Sequence, residues 1–91
     1  MVKIVESAIK YTKSESLCVV TGKRHHDCFQ RFWELYPHLE TELQKQHIIQ
    51  GFITTDLRFV NREEAGVIAF NAKQTPQFKE PTKRLFSEDL Y

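Results

Sequence analysis

The chain has 91 residues, 41% of them hydrophobic and 27% charged, with 13 basic and 12 acidic side chains for a formal net charge of +1. That makes one ordered domain with a thin core, which a partner subunit would help to close, and no disordered segment. Near-neutral charge excludes the broad basic face that a long nucleic-acid duplex needs, no apolar run is long enough to span a membrane, and Met1–Tyr11 lacks a signal-peptide core.

Val2–Tyr11 is predicted as a strand with imperfect alternation. Lys13–Glu15 is a polar turn and Leu17–Thr21 a returning strand, so the chain opens on a hairpin that Gly22 ends. From His25 to Tyr36, the residues Cys28, Phe29, Phe32, Trp33, Leu35 and Tyr36 recur every three or four positions. They define an amphipathic helix that Pro37 stops. Cys18 and Cys28 are too few for a disulfide scaffold and lie in apolar runs, as buried thiols of a reducing cytosol would. His38–Gln46 is polar and fits either a loop or a short helix.

His47–Thr54 is a further strand, Thr55–Leu57 a turn and Arg58–Val60 a short returning strand. Asn61 then caps a helix over Glu63–Gln74, with Glu64 at the capping-box position. That helix carries a small-residue stripe, Ala65, Ile68, Ala69 and Ala72, suited to packing on a sheet. Val67 and Phe70 point the other way, so either the C-terminal tail or another subunit should cover them. Pro76 and Pro81 mark an extended connection, and Leu85–Tyr91 is apolar enough to dock.

Both helix starts carry cations. Lys23-Arg24-His25-His26 precedes the first, and Arg58 and Arg62 bracket Asn61 at the second. A helix N-terminus is already partly positive, so added cations there cost stability unless an anion sits among them. Helix N–H groups with Arg or Lys are a common way of holding phosphate. Alone, the first cluster reads equally well as a solvated loop with Asp27 capping the helix. Asn61 is first a cap, and Arg62 could be spent on a surface ion pair.

Phe52 and Phe59 flank the turn before the second helix, where either could stack on a purine or serve as core. Phe32 and Trp33 belong to core or interface. His25, His26, Cys18 and Cys28 lack zinc-site spacing, and neither metal nor cofactor is expected. Hydrolysis by His25, His26 and Asp27 would need a geometry that three consecutive residues do not supply. The imidazoles of His25 and His26 fit better as hydrogen-bond donors to an anion or as stacking groups, with His26 taken as the ligand contact, and Asn61 and Gln74 as contacts to a ribose.

The segments TGKRHHDC (Thr21–Cys28), GFITTDLRFVNREEAGVIAFNAKQ (Gly51–Gln74) and LFSEDLY (Leu85–Tyr91) resemble a family of small phage and prophage proteins, the first-described phage anti-Thoeris proteins. The resemblance implies a sponge that sequesters a cyclic ADP-ribose isomer without degrading it. It also implies an α+β dimer or larger oligomer with nucleotide sites at subunit contacts. Matched by motif, the ligand residues would be Arg24, Arg58, Asn61, Arg62 and either Phe52 or Phe59. Leu57 stands where that family's turn often has glycine, which makes cyclic oligonucleotides a second ligand class.

The expectation is therefore an α+β domain, a small antiparallel sheet with two helices, forming a homodimer or higher homo-oligomer in the cytoplasm (the host's, if the chain is phage-encoded). Its partner would be a small cyclic nucleotide bound without catalysis, rather than long nucleic acid or a membrane. The competitors are a small phosphodiesterase using His25, His26 and Asp27, and a module that blocks a host protein.

Overall fold

A computed structural model describes residues 1–12, 18–37 and 47–90. The turn expected at Lys13–Glu15, the segment His38–Gln46 and the terminal Tyr91 lie outside the described residues. Six elements follow in order: β1 (Ile4–Tyr11), β2 (Cys18–Gly22), α1 (His25–Leu35), β3 (Ile48–Thr54), β4 (Phe59–Asn61) and α2 (Arg62–Asn71). A single 3-10 turn, Ser87–Asp89, closes the tail. The strands form one antiparallel sheet in the order β2-β1-β3-β4. This is the α+β architecture that the hydrophobic periodicities imply.

The imperfect alternation of β1 has a structural cause. The register shifts between Ile4 and Glu6, so Val5 is the extra residue of a β-bulge. The bulge returns Ile4 to the face that carries Ser7, Ile9 and Tyr11. Period-two alternation and the pairings Ile9↔Val20, Ser7↔Phe52 and Phe52↔Val60 then place one apolar set beneath the helices.

Two buried clusters result. Under α2, Ile4, Phe52, Val60, Ala65, Ala69 and Leu85 pack together, with Ile68 and Leu90 at the margin. Under α1, Ile9, Val20, Cys28 and Phe32 form the second, flanked by Tyr11, Phe29, Trp33, Tyr36 and Ile48. Cys28 is a free thiol whose burial pushes its pKa up to about 12, so it stays protonated. Between the clusters lies a polar seam of Ser7, His25 and Ser87, all buried.

Asn61 caps α2 as the sequence indicates. Its side chain accepts the Glu64 N–H at 2.8 Å, and Glu64 returns the bond to the Asn61 N–H at 3.3 Å. The helix begins at Arg62 and ends at Asn71, short of the expected Gln74, because the backbone turns left-handed at Lys73 (φ 60°). The Gln74 N–H then bonds the Ala69 carbonyl at 2.8 Å and the Lys73 N–H that of Phe70 at 3.0 Å, the double closure of a Schellman end. Arg58, expected on β4, sits just before it. The β3–β4 turn has its own left-handed residue, Leu57 (φ 63°), where the sequence has leucine rather than glycine.

The C-terminal tail docks, as its apolar residues suggested. Leu85 is fully buried, and its N–H bonds the Arg62 carbonyl at 3.2 Å. Upstream, the tail runs against α2 at Gly66, where an added methyl would collide with the Thr82 carbonyl oxygen. Of the second apolar face on α2, Phe70 is half-buried and Val67 stays 45% exposed.

Glycine to alanine inside a helix ordinarily adds about 1 kcal/mol of stability. Gly66→Ala should do the opposite here, lowering stability by about 1–3 kcal/mol through overpacking against the tail. Urea denaturation of both proteins checks this, and a raised midpoint for the variant would contradict the tail placement.

Candidate functional site

The two helix starts converge. Gly22 has no Cβ where one would approach the Asp27 Cβ and the Cys28 nitrogen to 3.1 Å, which lets the chain turn tightly into α1. The Ser7 hydroxyl donates to the Lys23 carbonyl at 2.9 Å, and the Asp27 carboxylate accepts the Arg24 N–H at 3.2 Å. Asp27 therefore closes the first turn of α1, while Lys23, Arg24 and His26 remain on the surface.

His25, the first residue of α1, is buried and fully engaged. Its Nε2 lies 2.8 Å from the Gly51 carbonyl and its Nδ1 3.3 Å from the Ser87 hydroxyl. A carbonyl only accepts, so Nε2 carries the proton and Nδ1 takes the Ser87 hydrogen. The Ser87 oxygen in turn accepts the His25 backbone N–H at 3.3 Å. Edge contact with Phe52, at 4.9 Å between ring centroids, completes the enclosure. Burial pushes the His25 pKa below its usual 6.5 and the nearby Arg62 charge pushes the same way, against the Gly51 bond and Glu88.

Arg62, the first residue of α2, shares this neighbourhood. Its Nη2 donates to the Gln50 side-chain oxygen at 2.6 Å, and its guanidinium lies 4.7 Å from the centre of the Phe86 ring. Arg84 approaches the same ring at 5.6 Å. Among the described residues, the buried Arg62 Nε has no hydrogen-bond partner. Among the described residues, neither arginine forms an ion pair. Burial and the charge of Arg84 both disfavour the Arg62 cation, and Glu88 offsets them in part. Beside this pair runs a cleft of about 360 Å³ lined by Phe29, Trp33, Ile48 and Gln50. Its floor is β3, its wall is the aromatic flank of α1, and Gln50 links it to Arg62.

A second hollow, about 850 Å³, is lined only by the consecutive tail residues Phe78–Lys83. Among the described residues no other element contributes to it, so it brings no distant chemistry together.

The sequence matches a known family. The family described as phage T4 y16D protein aligns with residues 3–91. The chain belongs to that family. No curated protein and no solved structure matches it. As a member of the phage T4 y16D protein family, the chain is a small phage-family protein, and no helix among its described residues is long and apolar enough to cross a membrane.

The site differs in several places from the set read in the sequence. Phe52 is fully buried in the core, so it has no ring face to offer a base. Phe59 pairs with Ile53 and so belongs to the sheet face away from both helices, where its ring lies over Gly51 with the Lys10 Nζ 5.9 Å from its centroid. Gln74 is structural: its amide bonds both the N–H and the carbonyl of Ile4, at 2.8 and 2.9 Å. Arg58 is held by Asp56, Nε to Oδ2 at 2.8 Å, on the exposed hairpin turn. Asp56 also accepts from the Thr54 hydroxyl, and these bonds hold its carboxyl below the usual range. Asn61 is occupied as the α2 cap.

Arg62 is the cation expected from the sequence that lies near His25, while Arg24 and His26 are exposed at the start of α1. Gln50, Phe86, Arg84 and the cleft pair Phe29–Trp33 were not singled out as site residues. Two signals pointed toward them: the aromatic excess on α1, which exceeds what one core face needs, and the docked LFSEDLY tail.

The state of His25 sets a pH dependence. Its folded pKa is depressed, so below about pH 6.5 the unfolded chain binds a proton that the folded chain resists, and stability falls with pH there. The melting temperature should drop between pH 6.5 and 5 more steeply for the natural protein than for His25→Gln. Parallel pH profiles for the two would show that the imidazole is not the linked group.

Proposed function

We propose that the protein captures a small phosphate-bearing nucleotide without cleaving it, and that the ligand is a cyclic ADP-ribose isomer of the kind the anti-Thoeris resemblance implies. The observation that supports this most is the Arg62–Arg84 pair. Two guanidiniums share one aromatic ring at the junction of two helix N-termini, with no ion pair to either among the described residues. A partly buried cation in that state costs free energy that a bound anion would return. A pyrophosphate would supply the charge, and Arg24 and His26, exposed at the start of α1, are the further cations offered to it. The adjoining cleft has aromatic walls for a base and the Gln50 amide for a polar edge.

Capture without hydrolysis agrees with how the candidate catalysts are used. His25 has both ring nitrogens engaged inside the fold, and Asp27 caps its own helix. A general base needs an imidazole or carboxylate that reaches the substrate, and these two are committed elsewhere. In a phage-infected cell, such a protein would lower the free concentration of a host signal.

Incubation with a cyclic ADP-ribose isomer followed by heat denaturation tests the reading: intact ligand should be recovered in stoichiometric amount. Arg62→Ala and Arg84→Ala should each weaken binding at least tenfold, the loss expected for a charge-assisted contact of about 1.5–3 kcal/mol. Recovery of a cleaved product would establish an enzyme instead. No thermal shift with any nucleotide would end the capture proposal.

A further inference from the structure

The cleft beside Arg62 has a single side chain with a strong acceptor atom, and that atom is already taken. Among the described residues Phe29, Trp33, Ile48 and Gln50 line the cleft. Gln50 pairs with the buried Ile9 and stands two residues before the buried Phe52, so alternation turns it to the helix side of the sheet. Phenylalanine and isoleucine side chains neither donate nor accept, and an indole only donates. Gln50 therefore decides what kind of polar edge the cleft can hold.

A glutamine amide carries an acceptor oxygen on one limb and two N–H donors on the other, and the two limbs have nearly the same outline. Chemistry tells them apart here. A guanidinium has N–H groups and no acceptor, so the atom that the Arg62 Nη2 meets at 2.6 Å has to be the Gln50 oxygen. Turning the amide over would set N–H against N–H at that distance. A bond from a charged donor is among the stronger ones, so it holds the amide in this sense. What Gln50 has left for a ligand is its nitrogen, from which no described residue accepts. Arg62 thus has two tasks: its charge faces an anion, and its Nη2 sets the polarity of the neighbouring cleft.

We propose that Gln50 is a specificity-determining residue that reads a bare ring acceptor, so that the cleft selects a purine by one of its ring nitrogens and leaves the exocyclic amine unread. The inference rests on the capture reading above and names the part of the captured nucleotide that is recognised. Adenine offers ring nitrogens as acceptors and its amine as a donor. The amine finds no free acceptor among the lining side chains, whereas a ring nitrogen meets the Gln50 N–H. Stacking on Phe29 and Trp33 is open to any base, since every base has a π-face, so the aromatic walls add affinity without discrimination. The discrimination falls to Gln50, because a C–H in place of the ring nitrogen leaves its N–H covered and unmatched.

Calorimetric titration tests this with a cyclic ADP-ribose isomer and analogues in which one purine ring nitrogen is replaced by C–H or the exocyclic amine by hydrogen. For the natural protein, one ring replacement should weaken binding about tenfold or more, while loss of the amine should change it by less than about twofold. In Gln50→Leu, which removes the donors, the ratio between the parent ligand and the sensitive analogue should fall to about one. That ratio is unaffected by any loss at the phosphates, which the ligands share. Gln50→Glu keeps an oxygen for Arg62 and presents acceptors only, so it should lose the same ratio even where the leucine variant does not fold. Equal binding of all analogues by the natural protein, or a ratio that persists in the folded variants, would overturn the role of Gln50 and leave capture standing. Binding of none of these ligands would overturn capture itself, and the role of Gln50 with it.

Discussion

One buried imidazole holds the parts of this small fold in register. His25 ties the start of α1 to β3 through the Gly51 carbonyl and to the tail through Ser87. The chain distances are 26 and 62 residues, so the contact joins segments that nothing local would bring together. Its strength lies in complete satisfaction. Inside a thin core an unpartnered polar atom costs about 1–3 kcal/mol, and here the ring's two nitrogens and the backbone N–H all find partners in one tautomer. The position of the Phe86–Asp89 turn follows from this lock, and Phe86 is the ring on which Arg62 and Arg84 rest. The electropositive site is thus a consequence of how one neutral histidine is buried.

Cations at helix starts look like an electrostatic error until the rest of each first turn is counted. Asp27 caps α1, and Glu63 and Glu64 stand in the first turn of α2, so both dipoles are already complemented. Arg62 is an addition to that balance. It is held by Gln50 and by the face of Phe86, a cation–ring contact of about 0.5–2 kcal/mol that offsets part of its desolvation. That explains how a guanidinium can remain folded here with no ion pair among the described residues.

Local signals carried most of the fold. The Asn61–Glu64 capping pair placed the start of α2, the three-and-four spacing from Cys28 placed α1, and the Ala65/Ala69 stripe named the side of α2 that meets the sheet. The bulge at Val5 shows why β1 looked irregular: two consecutive apolar residues, Ile4 and Val5, signal an inserted residue rather than a weak strand. The site was harder to read because it depends on register and long-range pairing. Phe52 and Phe59 both sit near the same turn, and only the register reveals that one faces the helices and the other the opposite side. Gln74 pairs with Ile4 seventy residues away, a bond that no pattern in either segment announces. His25 and His26 are chemically identical in sequence, and a hundred degrees of helix rotation makes one a core lock and the other a surface group.

Gly51 joins the two sides of the sheet. Its carbonyl receives the His25 proton on the helix side, while on the opposite side its missing side chain makes room for the Phe59 ring. A methyl at this position would strike the Val60 carbonyl and the Phe59 ring together, so no other residue type fits both demands. The strand order puts Gly51 beside Ala8, and both are buried, Gly51 beneath the Phe59 ring, directly behind the His25 contact. The helix side and the opposite side of the sheet therefore make their separate demands on one residue, Gly51.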